Sequence, residues 1–131
     1  MSNDRNRILV ESIKRLLRRG AASHLGKIVN KTHAADLSVV FRSLSLSQQR
    51  KLFSLIADVE QKGILFSELD ADTFQDLIED MKIEDIVRIL ESMPADDVAD
   101  IIGRLPEERS KTILDKMRKA DSEEVEDLLR C

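Results

Sequence analysis

From Leu69 onward the chain repeats itself every twelve residues: LDADTFQDLIED, MKIEDIVRILES, MPADDVADIIGR, LPEERSKTILDK. Positions 1, 6, 9 and 10 of these blocks are Leu69, Phe74, Leu77, Ile78; Met81, Ile86, Ile89, Leu90; Met93, Val98, Ile101, Ile102; and Leu105, Ser110, Ile113, Leu114. Fifteen of those sixteen are apolar, where the whole chain is 42% hydrophobic, so the period organises the core. The phase runs back from Thr32 (Leu37, Val40, Phe41) and from Leu44 (Leu52, Phe53, with Gln49 interrupting). It needs a shift near Ala57 and another before the last unit, Val125, Leu128 and Leu129.

Twelve residues do not close on an α-helix. At 100° per residue the apolar stripe would rotate by about 120° per block, so one continuous helix could not keep it on one face. Each block is therefore a short helix plus a turn. Pro94 and Pro106 both stand at position 2, where a first-turn proline is tolerated and a mid-helix one would break the ladder. Asp70 and Asp121 are N-cap candidates, Asp121 with Glu124 at capping-box spacing. Helices of about nine residues are marginal alone in water and become stable by stacking. The expected class is all-α, a solenoid of about ten short helices stacked as helical hairpins. Ahead of the repeats, Ile8, Leu9, Ile13, Leu16 and Leu17 outline an amphipathic helix ending at Gly20, and Leu25, Ile28 and Val29 a second. Residues 1–31 are thus read as basic helices packing on a repeat region at 32–131, in one structural domain. The last helix has no Gly, Asn or Pro to stop it, which suggests a piece of something longer.

The same repeat limits what the chain does. The apolar runs are a few residues long, far below the ~20 that span a bilayer, and the N-terminus lacks a signal-peptide core. The only Cys is Cys131, which excludes an internal disulfide and a thiolate metal cage. Residues 1–31 carry eight Lys/Arg against two acids, whereas 68–100 carries twelve Asp/Glu against Lys82 and Arg88. That acidic stretch repels nucleic acid and attracts cations. The four glycines are isolated, His24 and His33 lie nine apart, and no nucleophile–base pattern occurs. The expectation is that the chain is not an enzyme and takes no small-molecule substrate.

The segments THAADLSVVFRSLS (32–45), ILESMPADDVADIIGRLPEERSKTIL (89–114) and DSEEVEDLLR (121–130) together resemble the N-terminal domain of MgtE magnesium transporters. The resemblance implies a right-handed α-helical superhelix, on the cytoplasmic side of the membrane. In the intact protein it would be followed by CBS regulatory domains and a transmembrane pore, in a homodimer. It also implies a gating role, in which Mg²⁺ bridges carboxylates of this domain to those of the CBS domains. The family's acidic helix start falls on Asp96, Asp97 and Asp100 in PADDVAD. Asp96 and Asp100 are i, i+4 and share one helix face, and Mg²⁺ takes one or two carboxylates while keeping most of its waters. A further acidic position of the family, before Leu69, is Ile64 here.

Other readings remain beside this one. Acids early in helices are also ordinary partners of the helix dipole and solvated surface. Lys14, Arg15, Arg18 and Arg19 form a basic face that is either solvated or directed at anionic headgroups. The alternative function is a helical-repeat interaction scaffold, as in the middle domain of the rotor protein FliG, or a stand-alone adaptor.

The repeat register makes a direct prediction. Ile101→Ala should cost about 2–5 kcal/mol, because position 9 is core, and Glu91→Ala should cost little. Thermal melts of the two variants check it, and equal shifts would mean that the register is wrong.

Overall fold

The computed structural model describes the backbone of residues 2–117 and 119–130 and the side chains of 6–117 and 125–130. Among the described residues there are ten α-helices and no strand. They are α1 (Ser2–Arg19), α2 (Ala22–Lys31), α3 (Ala34–Arg42), α4 (Leu46–Ser54), α5 (Val59–Glu68), α6 (Ala71–Ile78), α7 (Ile83–Glu91), α8 (Ala95–Gly103), α9 (Glu107–Lys116) and α10 (Lys119–Arg130). The chain groups into two compact units, Met1–Glu68 and Leu69–Cys131.

Within each unit the broad packing joins mainly every second helix, with α1 on α2 the exception. In the first unit α3 packs on α1 and α5, and α2 on α1 and α4; in the second, α9 packs on α7 and α10 on α8. Four of the junctions between consecutive helices, after α3, α4, α7 and α8, are tight corners of one form. The C-cap residues Ser43, Leu55, Ser92 and Arg104 all sit near φ −90° and ψ 0°. Each donates its N–H to the carbonyl three residues back (Ser92 to Ile89, 3.0 Å), and so does the next residue (Met93 to Leu90, 3.1 Å). These shortened turns satisfy the last helical carbonyls without a left-handed residue. The one positive φ among the described residues is that of Gly20, at 68°, which ends α1 in the left-handed conformation that suits glycine.

After the corner the N-cap residue is extended at φ near −60°, whether it is Ser45, Asp70, Lys82, Pro94 or Pro106. The two prolines therefore stand one residue before the first helical turn. Their ring supplies the required φ, and their carbonyls still accept the first helical bonds, from Val98 and Ser110. Asp70 caps α6 as expected, its carboxylate accepting from the Thr73 N–H at 2.7 Å. Ser45 forms a full capping box with Gln48, a pairing that the Ser-x-x-Gln spacing permits and the repeat pattern alone does not reveal. By contrast α10 starts at Lys119, so Asp121 lies inside the helix and not at its cap; its side chain is outside the described residues.

Positions 9 and 10 carry the core. Leu77, Ile89, Ile101 and Ile113 are buried, as are Ile78, Leu90 and Ile102, while Leu114 is half-buried. Position 1 falls at the corner, just before the N-cap, five residues ahead of position 6. That is the spacing of a hydrophobic staple, which explains why both are apolar. Leu44, Ile56 and Leu69 are buried there, whereas Met81, Met93 and Leu105 are half-buried. Phe41, Phe66 and Phe74 are buried completely, and Phe53 stacks on Phe66 with centroids 5.4 Å apart.

The two polar residues that interrupt position 6 obey a common rule. Gln49 is buried and donates from Nε2 to the carbonyls of Phe41 (2.8 Å) and Leu44 (3.3 Å). The Ser110 hydroxyl donates to the Ile102 carbonyl at 2.9 Å. Phe41 and Ile102 are both position 10 of the preceding block, so each polar side chain ties its helix to the end of the helix before. The phase shift at Ala57 is a single extra residue between Ile56 and the start of α5. Its N–H is accepted by the Asn30 side chain (2.9 Å), which also donates to the Leu55 carbonyl (3.1 Å). The last unit departs from expectation in another way: Val125 is buried, but Leu128 and Leu129 are each 40% exposed.

Replacing Gln49 by Ala removes a buried amide and its two hydrogen bonds, at a cost of about 1–3 kcal/mol. Ser47→Ala, on the exposed side of the same helix, should change little. Denaturant midpoints compare the two, and a silent Gln49→Ala would show that the buried amide holds nothing.

Candidate functional site

The acidic bias of the second unit has a local cause. Helices α7, α8 and α9 begin at Lys82, Pro94 and Pro106, none of which supplies a side-chain cap. Each of these helices carries two acids in its first turn: Glu84 and Asp85, Asp96 and Asp97, Glu107 and Glu108. Carboxylates there face the positive end of the helix dipole and the unpaired N–H groups. The capped α6 has Asp72 alone and the capped α4 none, while in the first unit the uncapped α3 has only Asp36 and the uncapped α2 none.

On α8 the three residues singled out from sequence occupy the N-terminal two turns. Asp96 and Asp100 are exposed and Asp97 is half-buried. Four residues separate Asp96 from Asp100, a rise of about 6 Å, so their carboxylates project from adjacent turns of one face. None of the three has a hydrogen bond or ion pair among the described residues, which leaves their oxygens open to water or a cation. Asp100 lies beyond the first turn, where the dipole no longer rewards a negative charge. Among the described residues no three His, Cys, Asp or Glu side chains gather closely enough to enclose a metal ion. The face can therefore supply one or two carboxylates, which is the usual protein share of a hydrated Mg²⁺ site.

The other residues marked from sequence are dispersed. Ile64 stands 56% exposed on α5, with Glu60 and Glu68 one turn to either side. His33 is the exposed N-cap of α3 and forms no side-chain cap, and His24 is exposed on α2. Cys131 lies outside the described residues. Arg109 is a feature that sequence reasoning missed. Its guanidinium donates to the carbonyls of Ile78 (2.8 Å) and Glu79 (3.4 Å), placing positive charge at the C-terminal end of α6. Gln75 and Arg104 make a similar tie, with the Gln75 amide donating to the Arg104 carbonyl at 2.7 Å.

Comparison with known proteins bears on the whole arrangement. Residues 32–130 match the family model of the MgtE intracellular N domain. The fold is similar to that of the cytosolic domain of the Mg²⁺ channel MgtE solved in complex with ATP, with a TM-score of 0.81 at 20% identity. That match covers 92% of this chain and 50% of the other. The soluble part of a magnesium transporter is similar at a TM-score of 0.80 and 14% identity, covering 95% of this chain and 49% of that one. The chain thus spans about half the length of the solved structures it matches. Among curated proteins none matches the sequence. The matched family is a magnesium-transporter domain and not an enzyme family, and no helix among the described residues is long and apolar enough to cross a membrane. With its twelve-residue repeat, the ten helices of its described residues and 99 residues under that family model, the chain belongs to the MgtE intracellular N domain family.

Proposed function

We propose that the chain is the cytoplasmic regulatory domain of a magnesium transporter, which senses Mg²⁺ and passes the signal to neighbouring CBS domains and a transmembrane pore. The family match over residues 32–130 carries this reading. The ion contacts are assigned to Asp96 and Asp100, with Asp97 beside them. Their open carboxylates on one face of α8 support the assignment, and so does the position of Asp100 outside the dipole-stabilised turn. The rest of the coordination sphere comes from water and from carboxylates of the adjacent CBS domains. Ion binding then joins two domains, and ion release separates them, which is a coupling between cation concentration and domain arrangement. In the complete transporter the domain works within a homodimer. The chain itself conducts no ions and catalyses no reaction.

Two measurements test this. Alone, the chain offers part of a site, so Mg²⁺ should bind in the millimolar range. At ten times the dissociation constant it should then add only about 1.4 kcal/mol of stability. A calorimetric site of micromolar affinity on the isolated chain would contradict the shared-ligand arrangement. In the complete gene product, Mg²⁺ should produce a compaction, read by limited proteolysis, that NaCl at matched ionic strength cannot reproduce. Asp96→Asn with Asp100→Asn should remove part of that response and leave the helical circular dichroism unchanged. A double variant that responds like the wild type would return this face to surface charge.

A further inference from the structure

The basic N-terminal segment is left over by this function. The family model begins at residue 32, whereas eight Lys/Arg and only two acids fall within 1–31. Helix α1 is the longest among the described residues and strongly two-sided. Val10, Ile13 and Leu16 are buried, and α1 packs on α2 and α3. The opposite arc holds Arg15, Arg18 and Arg19 and one acid, Glu11, all exposed, with Lys14 half-buried at its border. At 100° per residue Arg15, Arg18 and Arg19 fall within about 100° of one another, so they project to one side. These three arginines have no ion pair among the described residues. Ile8 falls on the same arc and is 64% exposed, the most exposed large apolar side chain described.

We infer that this arc of α1 is a docking surface for an anionic phospholipid membrane. Arginine presents a planar fork of donors that matches phosphate oxygens and gives up its hydration more readily than lysine. The outer face of a helix is convex, which suits a broad surface and not a pocket. Ile8, about 10 Å along the helix from Arg15, adds one apolar group able to enter the headgroup layer. The rest of the helix's apolar side is already committed to α2 and α3, so the helix lies against the surface and does not insert deeply. A second copy is a poorer partner, because many of the acids at 68–100 sit in first turns where helix dipoles already oppose their charge. The choice of lipid over another polyanion rests on the transporter reading. The two can fail separately, since vesicle binding reads α1 and the Mg²⁺ response reads α8.

The test is co-sedimentation of the chain with vesicles. It should bind mixed phosphatidylcholine–phosphatidylglycerol vesicles and not pure phosphatidylcholine, and added salt should weaken the binding. Neutralising one arginine should lower the partition coefficient about fivefold, so R15Q/R18Q/R19Q should lower it roughly a hundredfold. The control K51Q/R88Q/K111Q removes three exposed charges elsewhere and should bind like the wild type. Circular dichroism should show both triple variants folded. The inference is overturned if the chain does not sediment with the mixed vesicles, or if both triple variants are weakened equally. It is overturned equally if short duplex DNA binds α1 as tightly as the vesicles do, or if the arginines prove to hold a dimer in sedimentation equilibrium.

Discussion

A helix of eight to ten residues in water gains too few hydrogen bonds to offset the entropy of starting it, and eight of the ten helices here are that short. Everything else follows from how such helices are held. Capping contributes about 1 kcal/mol at a helix end, and only where a side chain provides it. Burial of positions 6, 9 and 10 contributes far more, about 1.5–3 kcal/mol for each large aliphatic side chain. The corner makes that burial possible: two shortened turns close one helix, and an extended residue starts the next. The extended residue has been filled in three ways, by a capping serine or aspartate, by proline, or by an uncapped lysine. What the three share is a backbone angle, not a side-chain chemistry.

This separation explains what could be read from the sequence. The twelve-residue period is a packing signal, repeated in each block, and it located the buried residues of positions 6, 9 and 10 almost without exception. Gln49 and Ser110 look like errors in the pattern. They are polar solutions to the same geometric task, and only the carbonyls they reach reveal it. The pairing of every second helix was not legible, because a linear period says which face is buried but not what covers it. The one-residue insertion at Ala57 showed as a phase shift, yet its compensation by Asn30 lies 27 residues away in the chain. The end of the repeat misled: Leu128 and Leu129 keep the spacing of core residues and are nonetheless partly exposed.

The acidic composition carried two messages at once, and the structure divides them. A pair of first-turn acids accompanies each of the helices α7, α8 and α9, whose N-caps lack a capping side chain. Glu84, Asp85, Asp96, Asp97, Glu107 and Glu108 therefore have a reason to be acidic that involves no ion. A count of carboxylates over 68–100 overstates the case for a cation site for that reason.

On α8, Asp100 is the acid that the helix dipole does not account for. It sits a turn past the dipole-stabilised positions, exposed, next to Gly103 and Arg104 at the C-terminal end of α8, where a negative charge is unfavourable. It also stands directly after Asp96 on one face, so the two carboxylates repel each other across about 6 Å of helix rise. Both effects cost the isolated helix a few tenths of a kcal/mol each, and a divalent cation held between them and a partner's carboxylates would reverse both signs. The physical weight of the ion-sensing proposal thus falls on Asp100 more than on Asp96 or Asp97. The dipole explains the first two acids of α8, and the ion-sensing proposal gives the third a role.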